Sequence, residues 1–185
     1  MGAVFSSLRG RLLVSTPDLT DPNFDRTVIL LLDHTPEGAV GVVLNRPSET
    51  PLDEAGTDWG GWDKLACDPP VVFVGGPVSR TSVICLARLG DGGAEGFQPV
   101  LGEVGIADLS GEPRGIEAVR VFAGYAGWGD GQLEGEIAAG AWFVLDAEPD
   151  DALTADAEDL WPQVLRRQGG RLALFAACPP DPSLN

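Results

Sequence analysis

The residues best suited to hold an anion are Arg26 and Arg46, the two arginines that bound an apolar run. In "RTVILLLDHTPEGAVGVVLNRP" (26–47), Arg26 opens the run, Asp33-His34 sits near its middle and Asn45-Arg46-Pro47 closes it. A turn near Pro36-Glu37 folds it into a β-hairpin. Arg26 then lies opposite Arg46, and Asp21, Asp25 and Asn45 share that open end. Two guanidinium groups at one strand end call for anionic partners. If Asp21, Asp25, Asp53 or Glu54 supplies them, the cluster is an internal ion pair that fixes the hairpin's entry. If none does, it is a pocket for an external carboxylate or phosphate. The internal pair is the commoner use of such residues and is the expectation here.

His34 stands at the other end. A strand rises ~3.3 Å per residue, which separates His34 from Arg26 by about 25 Å, so one site cannot use both. It is the only histidine, and Cys67, Cys85 and Cys178 show no metal-ligand spacing. A multi-histidine metal centre is therefore excluded. His34 is expected as a turn residue bonded to a hydroxyl or to backbone. No serine sits in a GxSxG context, and the acidic run 146–159 lacks EF-hand spacing and reads as solvated loop and helix cap. No catalytic residue, metal or cofactor is assigned. Cys67, in an irregular loop beside Lys64, reads as exposed; Cys85 and Cys178 read as buried.

Two glycine-rich strings complete the candidates. Gly75-Gly76-Pro77 follows the strand "VVFV" and reads as a tight turn into the strand "SVICLARLG". Its bare N–H groups also suit an anion, although it is neither GxGxxG nor a Walker loop. "GYAGWGDGQLEGE" (124–136) sets Trp128 among glycines ahead of a helix, with Gln132 and Glu134 in its first turn. It is either one wall of a groove or a packing corner where glycines admit the indole.

The elements that must position these residues are mostly strands. "GRLLVST", the two arms of 26–47, "VVFV", "SVICLARLG", "VGIADLS", "AVRVFAGYAG" and "AWFVLDA" all read as strands. "DGQLEGEIAAG" and "DAEDLWPQVLRRQGG" read as helices, the second with Leu160, Trp161, Val164 and Leu165 on one face, Asp156 as a cap and Pro162 near the first turn. "RLALFAAC" fits either. The class is α+β: one domain over 1–185, with a mostly antiparallel, curved, barrel-like sheet flanked by helices.

At 185 residues the chain is long enough for one substantial core. Its net charge of -16 repels phosphate backbones and anionic lipid, so neither nucleic acid nor membrane is an expected partner. Three cysteines without a pairing pattern suit a reducing cytoplasm, and no run approaches membrane-span length.

Five strings, "GRLLVSTPDLTDPNFDRTVILLLDHTPEGAVGVVLNRP", "FVGGPV", "RVFAGYAGWGDGQLEGEI", "LWPQVLRRQGG" and "DPSLN", together resemble the YqgE/AlgH family of bacterial proteins, in order and along nearly the whole chain. The resemblance implies a single α+β domain with a five-stranded barrel-like sheet and helices around it. It implies no reaction; one branch is linked to regulation of exopolysaccharide production. The sequence departs from the pattern at Leu86-Ala87, where the family often has Leu-His.

The leading expectation is a cytoplasmic, non-enzymatic binding or regulatory protein, monomeric or weakly dimeric, that contacts another protein or a small anionic ligand. Its surface is drawn from Arg26, Asn45, Arg46, Gly75, Gly76, Trp128, Gln132 and Glu134. Two alternatives stand beside it. One is an enzyme on a small acidic or phosphorylated metabolite, with Glu134 or Asp21 as base. The other is a scaffold that dimerises through a sheet edge.

Overall fold

The computed structural model describes residues 4–56 and 58–180; the terminal "DPSLN" lies outside them. The strands are β1 (Arg11–Ser15), β2 (Val28–Thr35), β3 (Gly38–Val43), β4 (Pro47–Pro51) and β5 (Val71–Val74). They continue with β6 (Val78–Leu89), β7 (Phe97–Leu101), β8 (Val104–Ala107), β9 (Ile116–Gly129) and β10 (Trp142–Asp146). The helices are α1 (Gln132–Ala138), α2 (Leu160–Gln168) and α3 (Gly170–Phe175).

All ten strands join one sheet, in the order β10-β1-β2-β3-β9-β6-β8-β7, with β5 on both β4 and β9. The sheet is antiparallel apart from the β5–β9 pair, and it curls into a half-barrel. The α+β, mostly antiparallel class read from the sequence is the observed one. The strand number is larger than the resemblance implies.

Period-two alternation explains why β2 is apolar from Val28 to Leu32. Leu30 and Leu32 join Leu12, Val14, Val42 and Leu44 beneath Trp161, Val164 and Leu165 of α2. Ile29 and Leu31 join Leu13, Val43 and Trp128 on the opposite face, beneath Leu133 of α1. Each fully buried aliphatic side chain contributes about 1.5–3 kcal/mol, so both faces of this strand hold the fold together. A third cluster, with Leu52, Trp62, Cys85, Val119 and Val121, lies on the β6–β9 half of the sheet. Part of its cover comes from short 3-10 turns at Leu52–Glu54 and Trp62–Leu65.

The hairpin of β2 and β3 forms as expected, with His34 opposite Ala39 and a bulge between Leu31 and Asp33. The turn expected at Gly75-Gly76-Pro77 does not form a hairpin. β5 does not pair with β6; β9 lies between them, with Phe122 opposite both Phe73 and Ile84. The chain instead crosses β9 at Gly124 and Tyr125, where the Gly75 N–H donates to the Ala123 carbonyl at 2.9 Å and the Val43 N–H donates to the Gly75 carbonyl at 2.9 Å. Gly76 has φ +154, and a Cβ there would lie 2.2 Å from the Tyr125 carbonyl. Glycine is needed because two backbones touch.

Three further expectations are corrected. Asp156 makes no side-chain cap; it flanks the 3-10 turn Ala157–Asp159, and α2 starts beyond Asp159. Cys178 is half-buried, because it follows α3, which has no buried residue. The acidic run is not all solvated: Asp151 is buried and takes two 2.8 Å bonds from Arg167. It also accepts the Glu148 N–H, closing a capping box.

Candidate functional site

Arg26 and Arg46 reach the same end of the hairpin, but their guanidinium groups part. The β2–β3 register pairs Ile29 with Val43, which leaves Arg26 and Arg46 just beyond the paired ends. Arg26 takes φ +51, turns over the Trp161 ring at 4.0 Å and donates to the Cys178 carbonyl at 2.8 Å. Arg46 donates to the carbonyls of Asn23 at 2.8 Å and Asp25 at 3.1 Å. The expected internal ion pair is therefore absent among the described residues: both partners are backbone carbonyls. The turns at 22–26 leave carbonyl groups outside any ladder, and a guanidinium satisfies several such acceptors at once. Burial pushes the Arg46 pKa down, and the fields of Asp25 and Asp21 oppose that shift. Asn45 holds the strand entrance: its side chain accepts the Val28 N–H at 3.0 Å and donates to the Arg26 carbonyl at 2.8 Å.

Arg46 and Gly76 do come together. With Asn23, Val74, Pro77 and Arg80 they line a cleft of about 50 Å³, enough for one or two water-sized groups or a carboxylate head. Sequence reasoning missed Arg80. It is exposed and enters no ion pair among the described residues. It follows Ser79, which takes φ +47, and the residues that share its cleft come from distant segments, so nothing local in the sequence marks it. Gly75 is buried in the strand crossing.

Beside the cleft lies an apolar face. The β5–β9 and β6–β9 registers place Val74, Ala123 and Val83 side by side on three adjacent strands. Val74 is 38% exposed and Val83 47%. With Val72, Val121 and Trp59 they line an open groove of about 390 Å³.

Trp128, Gln132 and Glu134 belong elsewhere, at the α1 end. Trp128 is buried, stacks on Phe24 at 6.5 Å between ring centres, and donates to Glu136 at 2.9 Å. Gln132 accepts the Gly129 N–H at 3.0 Å and donates to Glu136 at 3.1 Å. The string 124–134 is thus a packing corner at its Trp128 end, with Gly124 serving the strand crossing.

His34 lies just before the turn, in β2, and makes the backbone bond expected of it together with a carboxylate bond that was not expected. Its Nδ1 accepts the Leu8 N–H at 2.9 Å, so its Nε2 carries the proton and donates to Glu134 at 2.8 Å. Phe5 packs edge-on at 4.9 Å and Ser7 Oγ donates to the His34 carbonyl at 2.9 Å. The imidazole is 2% exposed while Glu134 is 49% exposed. The Glu134 carboxyl is held below its usual range, first by its own backbone N–H and then by His34.

Arg120 was also missed. It is 1% exposed in the middle of β9, lies over Phe73 at 4.3 Å, and donates to the carbonyls of Thr154 (2.8 Å) and Asp68. A charge inside the apolar run "VRVF" was the signal. Burial lowers its pKa, against the fields of Cys67 and Asp68. Cys67 is half-buried, donates to the Val119 carbonyl at 2.9 Å, and has its thiol pKa raised by burial. It is therefore neither exposed nor activated; Arg120 and Arg88, not Lys64, are the cations whose fields reach it. Among the described residues no group of three or more His, Cys, Asp or Glu side chains is arranged to hold a metal ion, and no helix is long and apolar enough to cross a membrane.

Comparison with known proteins places this geometry in a family. Residues 12–173 match the family model described as DUF179, AlgH-like. A UPF0301 protein of Streptomyces avermitilis is 51% identical over 97% of this chain and 96% of its own length. One from Mycobacteroides abscessus is 47% identical over 95% and 87%. The crystal structure of protein DIP2367 from Corynebacterium diphtheriae superposes with a TM-score of 0.84 at 27% identity, covering 96% of this chain and 95% of that one. The solution structure of the AlgH protein from Pseudomonas aeruginosa gives 0.65 at 27% identity, covering 97% and 98%.

Proposed function

We propose a binding role for this chain, which belongs to the DUF179, AlgH-like family: it is a cytoplasmic, non-catalytic regulatory protein whose ligand presents negative charge to Arg46 and Arg80. One observation carries the reading. In a chain of net charge -16, two arginines line one cleft beside Gly76, and neither is paired with a carboxylate among the described residues. The overall field repels anions, so a spot where two arginines meet without a bonded carboxylate is locally selective, Asp25 and Asp21 reaching Arg46 through their fields alone. The three free cysteines support a reducing compartment.

The enzymatic alternative needs a base of raised pKa beside that cleft. Glu134 is lowered instead and is tied to His34 at the other end of β2, so that alternative loses one of its two bases. Isothermal titration with inorganic phosphate tests the binding role. Wild type is expected to bind at about millimolar affinity, weakening by up to about fivefold in Arg80→Gln, one ionic contact being worth up to about 1 kcal/mol at an exposed site. Equal binding in both proteins would overturn the reading.

A further inference from the structure

The cleft accounts for the two arginines but not for the valines beside them. Val74 lines both the cleft and the groove, so the cationic and apolar surfaces are continuous. Val74, Ala123 and Val83 form one cross-strand row. Two residues along the strands the groove continues over Val72 and Trp59, both half-buried, with Val121 and Cys85 buried beneath. At about 3.3 Å per residue the two positions are ~6.6 Å apart, the spacing of alternate side chains in an extended peptide. At the far end the half-buried Trp59 closes the groove. The groove is an open sheet face, which suits an extended chain better than a flexible acyl tail that needs enclosure. The neighbouring edge strand β4 is bounded by Pro47 and Pro51, whose missing N–H groups make it a poor template for strand addition. Recognition would therefore come from side chains on the face.

We infer that this surface docks an extended segment of a partner protein, bearing an acidic residue followed at two-residue intervals by two apolar residues. The acidic residue meets Arg46 and Arg80, the first apolar residue covers the Val74–Ala123–Val83 row, and the second lies over Val72 towards Trp59. The acidic anchor rests on the anion-binding role proposed above; the apolar contacts do not.

Isothermal titration separates the two. The probe is an acetylated, amidated pentapeptide of order Glu-Ser-Val-Ser-Ile. One control replaces its Glu by Gln, and the other replaces both apolar residues by Ser. The probe is expected to bind wild type up to about fivefold tighter than the Gln control, the scale of one ionic contact, and at least about fivefold tighter than the serine control, the scale of one partly buried side chain. Val83→Ser, at an exposed position, should erase the advantage over the serine control while leaving phosphate binding unchanged. If phosphate binds but the probe and the serine control bind equally, the docking inference fails and the anion-binding role stands. If neither phosphate nor probe binds, both fail. If sedimentation shows a dimer that Val83→Ser dissociates and the probe does not, the occupant is a second copy and the inference is overturned.

Discussion

His34 Nε2 lies 2.8 Å from the Glu134 carboxylate, across 100 residues of chain, while His34 Nδ1 accepts the N–H of Leu8. One buried imidazole therefore ties the N-terminal segment and the start of α1 to the end of β2. His34→Ala leaves the half-buried Leu8 N–H without its partner and is expected to cost about 0.5–1.5 kcal/mol, the range for one lost hydrogen bond. Amide exchange at Leu8 should speed up while exchange in β2 changes little. Equal exchange at Leu8 in both proteins would remove this role.

The same pair gives a pH dependence. The Glu134 carboxyl is lowered from its ordinary value of 4.5, so its contribution is complete above that value and is lost as pH falls through the folded value. Half the side chain is exposed, so the effect is small. Glu134→Gln should flatten the acid limb of a urea-midpoint profile below pH 4.5 and leave the neutral region nearly unchanged.

Asp151 and Arg167 provide the strongest ion pair. The carboxylate is buried and bidentate, with 2.8 Å to each guanidinium nitrogen, and it closes a cap at Glu148. Asp151→Ala removes the cap and the charge partner together and should cost about 2–4 kcal/mol in chemical denaturation. Surface pairs such as Arg114 with Glu112 should contribute under about 1 kcal/mol.

Gly76 and Gly111 separate crossing from turn. Gly76→Ala puts a Cβ 2.2 Å from the Tyr125 backbone at φ +154, and one of the two strands must move. Loss of more than about 4 kcal/mol, or failure to fold, is expected. Gly111→Ala meets nothing within 4 Å and should stay within about 0.5 kcal/mol of wild type.

These sites show what could be read without a structure. The hairpin, its division into a histidine end and an arginine end, and both faces of β2 follow from local periodicity. The strand crossing does not: Gly75-Gly76-Pro77 carries every mark of a turn, and only β9, nearly fifty residues on, explains why the chain cannot turn there. Glu134 as the partner of His34, and Cys178 as the acceptor for Arg26, are likewise set by packing between distant segments. Arg120 was legible in principle, since a charge in the buried phase of "VRVF" signals a satisfied cation. Arg80 was not, because its neighbours in space come from β3 and β5.

Cys85 gives an alkaline test of the third core cluster. Burial pushes its thiol up to about 12 from an ordinary 9.0. The native state keeps the proton where the unfolded state loses it, so this contribution to stability is complete below pH 9 and declines as pH rises towards 12. Iodoacetamide at pH 8 should modify Cys85 only after denaturant is added, because the thiolate is the reactive form. Rapid labelling of the native chain at Cys85 would show that the cluster opens.

The central claim, that the cleft of Arg46, Gly76 and Arg80 holds an anionic group, is tested most directly by following backbone amide and arginine side-chain N–H resonances as inorganic phosphate is titrated into the full chain. Saturable shifts are predicted at Gly76, Arg46 and Arg80, lost in Arg46→Gln and Arg80→Gln, with the resonances of His34 and Glu134 unmoved. Shifts that are unsaturable, or that centre on α1, would contradict the claim.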